Sequence, residues 1–148
     1  MNLLKSNSNH FYYSKGKGQP LVFLHGFPDC PKNYENQMNY FSQLGYEVFC
    51  PFMPGYHPDD KELSSYDPTT ISLEIIKFIN SLEAGPVALV GHDWGSSAAY
   101  GVASMEPSVV SCLITLSVPH GSKLVEAILT DGDQQRRSWY MFYFQLDL

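Results

Sequence analysis

The residues best suited to covalent chemistry in this chain are those of Gly91-His92-Asp93-Trp94-Gly95. They follow a compact apolar run, Pro86-Val87-Ala88-Leu89-Val90, and lead into small residues, Gly95-Ser96-Ser97-Ala98-Ala99. A glycine on each side of a reactive residue lets the backbone turn sharply and lets a helix and a strand approach closely. Buried strand, tight turn and small-residue helix together lift residue 93 above the carboxyl edge of a sheet, where α/β proteins bind ligands. A carboxylate in that place needs no base to activate it, because its reference pKa of about 4 leaves it charged at neutral pH. It can displace a leaving group from saturated carbon and become an ester of the chain. Only the second step, splitting that ester with water, calls for a general base. Such a site suits epoxides and alkyl halides, and suits ordinary carboxylic esters poorly.

A lone Gly-x-Asp-x-Gly is weak, since turns of that composition arise by accident. A second group adds to it. His25-Gly26-Phe27-Pro28 closes the earlier apolar run Leu21-Val22-Phe23-Leu24. A chain with a strand–turn–helix nucleophile places an oxyanion-hole loop there. His25, Gly26, Pro28, Gly91, His92 and Gly95 are read as the scaffold of the two motifs. Among the other histidines, His120 reads as a hydrogen-bonded structural residue at a strand end. His57 sits in a polar loop, and His10 has no context. No pair has the spacing of zinc ligands, and no metal or cofactor is expected.

The elements needed to position these residues are legible along the chain. Residues 9–14 read as a short strand and Lys15-Gly16-Lys17-Gly18 as a hairpin turn, with the wrong spacing for a phosphate loop. Residues 21–24 form a buried strand. Asp29 and Pro31 open a helix whose face is Tyr34, Met38, Phe41 and Leu44, and Gly45 stops it. Residues 46–50 form the next strand and 55–65 an irregular loop. Asp67-Pro68 caps a second helix with Ile71, Ile75, Phe78, Ile79 and Leu82 on its apolar face. Residues 86–90 are a strand, and 109–118 contain another. From Lys123 onward the sequence is helical and aromatic. Alternating strands and helices predict an α/β fold with a mostly parallel sheet flanked by helices.

Composition narrows the field. The chain has 148 residues, 44% of them hydrophobic and 14% aromatic, which is enough for one ordered core. A net charge of −6 argues against a nucleic-acid partner. No run is long enough for a signal peptide or a membrane span, so a cytoplasmic location is expected. Three widely spaced cysteines, Cys30, Cys50 and Cys112, read as free thiols, which agrees with a reducing compartment.

The two motifs resemble the paired signatures of the epoxide hydrolase and haloalkane dehalogenase branch of the α/β-hydrolase family. The resemblance continues through Ser117-Val118-Pro119-His120 and Arg136-Arg137-Ser138-Trp139-Tyr140-Met141-Phe142-Tyr143-Phe144-Gln145-Leu146, so it covers nearly the whole chain. It implies that Asp93 is the nucleophile and that the N–H groups of Phe27 and Trp94 form the oxyanion hole. It places residues 1–121 in the core and 122–148 at the start of a helical cap. Trp94 matches a halide-gripping Trp, but Phe27 stands where dehalogenases often carry Asn. Fluoroacetate dehalogenases usually carry Arg where this chain has Trp94. Tyr140 falls where epoxide hydrolases place a cap tyrosine that donates to the epoxide oxygen, with Tyr143 as the alternative. These features favour an epoxide hydrolase acting on a small apolar epoxide, with a haloalkane dehalogenase second. The family's catalytic His and its acidic partner follow the cap, and this chain ends inside it. Asp147 also stands where a Pro usually continues Gln-Leu. The expectation is therefore an incomplete site, and a non-catalytic remnant is the reading from another class.

Overall fold

The structure is a computed structural model that describes residues 3–144 and Leu146. Gln145, Asp147 and Leu148, where the sequence leaves the family's continuation, lie outside the described residues. The chain divides into two compact units, Met1–Val118 and Pro119–Leu148.

The first unit is built on a six-stranded sheet. Its strands are β1 (Leu3–Lys5), β2 (Phe11–Gly16), β3 (Gln19–Leu24), β4 (Tyr46–Pro51), β5 (Val87–His92) and β6 (Val110–Leu116), in the order β1-β2-β4-β3-β5-β6. β3, β4, β5 and β6 run parallel, and β1 and β2 add antiparallel strands at one edge. Three helices connect them: α1 (Glu35–Gln43), α2 (Pro68–Ser81) and α3 (Trp94–Met105). This is the mostly parallel α/β sheet that the alternation of elements predicts.

β3 shows why a central strand reads as one apolar run. Its side chains alternate between two cores. Leu21 and Phe23 pack with Met38, Val48 and Cys50 on one side. Val22 and Leu24 pack with Phe78, Leu89, Ala98 and Val102 on the other. Burying each such side chain stabilises the fold by about 1.5–3 kcal/mol, so the strand that leads into His25 is anchored on both faces.

Several boundaries differ from the sequence reading, each for a local reason. β1 carries no alternation, and its three residues are exposed, so periodicity misses it. Lys15 and Gly16 extend β2 through pairing with Val48 and Glu47, which leaves only Lys17 and Gly18 for the turn. Pro31–Tyr34 is a 3-10 turn, and α1 begins only at Glu35. Asp29 does not cap that turn; its carboxylate instead accepts from the Asn33 side-chain amide. β6 ends at Leu116, so His120 lies past the strand, at the start of the next helix.

Asp67 caps α2 as its type and place require. Its Oδ1 accepts the N–H groups of Thr69 and Thr70 at 2.9 and 3.0 Å. Hydrogen bonds from the Ser65 hydroxyl first, and then from Thr70, hold this carboxyl well below the usual carboxylate range. Asp67→Ala is expected to lower the stability of the chain. A urea titration checks this, and an unchanged midpoint would contradict it.

β6 is an edge strand that pairs with β5 alone among the described residues. On one face Thr115 bonds the Tyr100 hydroxyl at 2.7 Å. On the other, Cys112 is exposed, and Ile114 and Leu116 keep 48% and 49% of their surface.

The second unit is helical: α4 (Gly121–Thr130), α5 (Gly132–Arg137) and α6 (Trp139–Tyr143). Asp131 caps α5 by accepting from Asp133 N–H at 2.8 Å.

Candidate active site

Asp93 joins β5 to α3 with φ 53° and ψ −119°, a backbone conformation that non-glycine residues rarely adopt. Three sets of contacts hold it there. The Asp93 N–H donates to Leu116 O on β6 at 3.1 Å. The Asp93 carbonyl accepts Ser96 N–H and Ser97 N–H, at 2.9 and 3.3 Å, which starts α3. The fully buried Ser96 hydroxyl lies 2.8 Å from both Gly91 O and Leu116 O, and accepts Leu116 N–H at 3.2 Å. Ser96 was not singled out by sequence; its signal is a hydroxyl in the first turn after the motif, where the ends of two strands must be joined.

The glycines of the motifs are there for proximity. A Cβ on Gly95 would lie 2.2 Å from Leu24 O, because the first turn of α3 rests on the end of β3. A Cβ on Gly26 would lie 2.5 Å from both Cβ and Oδ1 of Asp93. The two motifs therefore touch at the Asp93 side chain. The contact is completed by Phe27, whose N–H donates to Asp93 Oδ1 at 2.9 Å. The other N–H of the expected pair belongs to Trp94, the first residue of α3. Helix geometry leaves the first N–H groups of a helix without an intrahelical acceptor. Phe27 and Trp94 both expose large parts of their rings.

His25 is a strut. It is buried, its Nδ1 lies 3.0 Å from Gly26 O, and its Nε2 accepts Met53 N–H at 3.0 Å. That pair of contacts fixes the neutral tautomer with the proton on Nδ1. Burial pushes its pKa down, against smaller opposing effects of the Gly26 carbonyl and Asp29. Pro28 follows Phe27 through a cis peptide bond. His92 sits at the surface side of the turn, with Nδ1 3.9 Å from Asp29 Oδ2. His57 stacks on Phe11 with ring centroids 3.8 Å apart. His120 bonds the Ser122 hydroxyl within the second unit. Tyr140 and Tyr143 belong to α6 of that unit; the Tyr140 ring meets Phe144 edge-on and Tyr143 meets Trp139.

His10 is also buried, 3.5 Å from a Glu74 carboxylate oxygen. Desolvation lowers its pKa, opposed chiefly by Glu74 and then by Asp60. His10 and His25 are thus both harder to protonate folded than unfolded. The unfolded chain binds more protons below its histidine pKa of about 6.5, so stability is full above that pH and is lost as pH falls below it. Each group can contribute a slope of at most about 1.4 kcal/mol per pH unit. Unfolding midpoints measured between pH 8 and pH 5 are expected to drop on the acid side of 6.5; a flat profile would contradict this.

A cleft of about 250 Å³ opens beside the turn, and Met53, Tyr56, Tyr66, Ile71, Trp94 and Ala98 form most of its wall. Tyr56 is a residue the sequence reading passed over. Burial, and after it the carboxylates of Asp93 and Asp29, push its phenol above the usual tyrosine range. Its loop follows a strand end and carries Pro54 and Gly55, which was the available signal.

A strand–turn–helix carrying a carboxylate at positive φ, with a second loop donating to that carboxylate, identifies the architecture. The family model for the alpha/beta hydrolase fold matches residues 19–145. The chain belongs to the α/β-hydrolase fold family. Within that family it is 33% identical over 134 residues to an epoxide hydrolase of Caballeronia sordidicola, covering 86% of this chain and 40% of the relative. It is also 33% identical over 131 residues to an AB hydrolase superfamily protein of Bacillus subtilis (strain 168), covering 87% of this chain and 46% of the relative. The crystal structure of a Bacillus megaterium epoxide hydrolase bound to an inhibitor superposes with a TM-score of 0.88 at 29% identity. That match covers 99% of this α/β-hydrolase chain and 52% of the other. The chain thus spans less than half the length of these curated relatives.

Proposed function

We propose that the chain carries the nucleophile half of an epoxide hydrolase, with Asp93 as the attacking group. The observation that carries this reading is the hydrogen bond from Phe27 N–H to Asp93 Oδ1. It divides the carboxylate into two oxygens with different tasks. Oδ1 is held by a backbone donor, and Oδ2 is left to attack an epoxide carbon. The C–O bond of the ring breaks as the Oδ2–C bond forms, and the ring oxygen leaves as an alkoxide that takes a proton. Tyr140 is the proposed proton donor, since a phenol with a reference pKa of about 10 is protonated at neutral pH. The product of this step is an ester whose carbonyl oxygen is Oδ1. When water attacks the ester carbon, negative charge gathers on Oδ1, where the N–H groups of Phe27 and Trp94 stabilise it. The second unit is proposed as the start of a helical cap, and a small apolar molecule as the substrate.

The indole of Trp94 beside the nucleophile also favours a second reading, displacement of halide from an alkyl halide. Phe27 offers no side-chain donor to the departing halide, so that reading ranks below the first.

Asp93→Asn removes the charge and the nucleophilic oxygen. Incubation with a small epoxide, followed by peptide mass spectrometry, is expected to find the alkyl adduct on Asp93 in the parent chain and none in Asp93→Asn. An adduct on a cysteine or on another carboxylate only, unchanged in Asp93→Asn, would sink the assignment.

A further inference from the structure

A second pairing of a hydroxyl with a base shares no residue with the Asp93 turn. It forms where the loop between β1 and β2 meets α2. Ser8 and His10 are fixed on one another by that loop's own bonds. Ser6 N–H donates to His10 O at 2.9 Å, and His10 N–H donates to Ser6 Oγ at 3.1 Å. Ser8 Oγ lies 3.0 Å from His10 Nδ1. The other ring nitrogen, Nε2, lies 3.5 Å from Glu74 Oε2 on α2. Glu74 is held in turn, since Lys77 Nζ donates to its Oε1 at 2.6 Å. The buried imidazole meets the Phe78 ring edge-on, with centroids 5.8 Å apart.

The count of protons gives this row a direction. A carboxylate only accepts, so neutral His10 turns its one N–H, on Nε2, toward Glu74. Nδ1 is then a lone pair facing the Ser8 hydroxyl. Ser81 Oγ, also 3.0 Å from Ser8 Oγ, is the competing acceptor, and its own proton goes to Phe78 O at 2.7 Å. An imidazole nitrogen is far more basic than a hydroxyl, so His10 takes the proton when Ser8 attacks. Hydroxyl, imidazole and carboxylate in that order are the parts of a nucleophile, its base and the group that orients the base. Burial disfavours the protonated imidazole, which keeps His10 in the neutral form that a base must have.

These groups open on a cleft of about 610 Å³, within the usual size of small-molecule sites. Ser8, His10 and Glu74 line it together with Asp60, Lys61 and Lys77, so its wall is polar. We propose that Ser8 is a second nucleophile, with His10 as its base and Glu74 orienting that base, and that the cleft takes small polar carboxylic esters. Ser8 Oγ bonds to the ester carbonyl carbon as its proton passes to His10 Nδ1. The carbonyl oxygen gains charge, for which the Lys61 ammonium is a cation on the same wall. The ester C–O bond then breaks, and the alcohol leaves with the proton from His10. Water repeats the exchange: it gives a proton to His10, bonds to the acyl carbon and releases Ser8 and the acid. Esters are the substrates that a carboxylate at position 93 serves poorly, so this site stands independently of the epoxide reading.

The test is labelling of the 148-residue chain by diisopropyl fluorophosphate, in which an activated serine oxygen bonds to phosphorus and fluoride leaves. Peptide mass spectrometry should find the adduct on Ser8, and none in Ser8→Ala. p-Nitrophenyl acetate should acetylate the same residue. His10→Gln should slow labelling about 10²-fold or more, the loss of a general base. Glu74→Gln keeps the shape of the side chain and should slow labelling about 10-fold or more, in a chain whose circular dichroism is that of the parent. Ser81→Ala should label at no less than the parent rate, because it removes the competing acceptor. Adducts on other residues only, Ser8 labelling unchanged in His10→Gln, or labelling lost in Ser81→Ala would each overturn the proposal.

Discussion

An excess of small epoxide is expected to leave the 148-residue chain with one ester on Asp93 that persists instead of turning over. The two halves of the reaction make different demands. Asp93 needs no partner to attack, because a carboxylate is already nucleophilic, and Phe27 N–H holds one of its oxygens. Hydrolysis of the ester needs a base that strips a proton from water, and the absence of such a base costs about 10²–10⁴-fold. Three of the four histidines of the first unit are committed elsewhere. His25 has both ring nitrogens engaged, His10 lies against Glu74, and His57 stacks on Phe11. The mass of the intact chain should rise by one epoxide and stay there over hours, while diol stays at or below one equivalent. Sustained diol formation that Asp93→Asn abolishes would contradict this. It would direct attention to His92, the neighbour of the nucleophile, whose Nδ1 lies a loose 3.9 Å from Asp29.

The second large effect is expected at the motif glycines. In Gly26→Ala the new methyl would sit 2.5 Å from Asp93 Oδ1, so either the loop that carries Phe27 or the carboxylate must move. A displacement of about 1 Å at a reacting group costs roughly 10²-fold in rate. The rate of Asp93 alkylation should fall by at least about that factor, while stability falls by only about 1–3 kcal/mol, since one side chain can yield. Gly95→Ala is harsher for folding. Its methyl would meet backbone atoms of Leu24 and His25, none of which can rotate away. A loss of more than about 3 kcal/mol, or no folded protein, is expected there. Gly121→Ala is the control, because nothing lies within 4 Å of the added carbon. Its stability should stay within about 0.5 kcal/mol of the parent. Equal unfolding midpoints for Gly95→Ala and Gly121→Ala would refute the packing argument.

Much of the fold could be read from the sequence, and particular residues show why. β3 and β5 are buried on both faces, so they appear as unbroken apolar runs, and Asp67-Pro68 announces α2 by its hydrogen-bonding chemistry. β1 could not be seen, because an exposed three-residue strand gains its order from pairing with Leu3↔Tyr13 and its neighbours, not from its own pattern. Asp29 has the type of a helix cap but gives its carboxylate to Asn33, so the sequence predicts an earlier start for α1 than the structure has. At the site, the two motifs were legible as separate turns. Their meeting was not, since the Phe27–Asp93 bond joins residues brought side by side only by the parallel pairing of β3 and β5. Ser96 and Tyr56 escaped for the same reason: each matters through atoms far away in the chain.

The positive φ of Asp93 bears on whether this chain is a relic. A non-glycine residue held in such a region gives up about 1–3 kcal/mol that the surrounding structure must offset. Here the offset is visible in the hydrogen bonds from β6 and Ser96 that grip the turn. Glycine at position 93 would relieve that strain but would also remove the carboxylate that accepts the Phe27 N–H. The chain instead carries a charged, strained residue together with the buried support it requires. That arrangement is a cost borne continuously in folding, and Asp93→Gly is the substitution that would measure it.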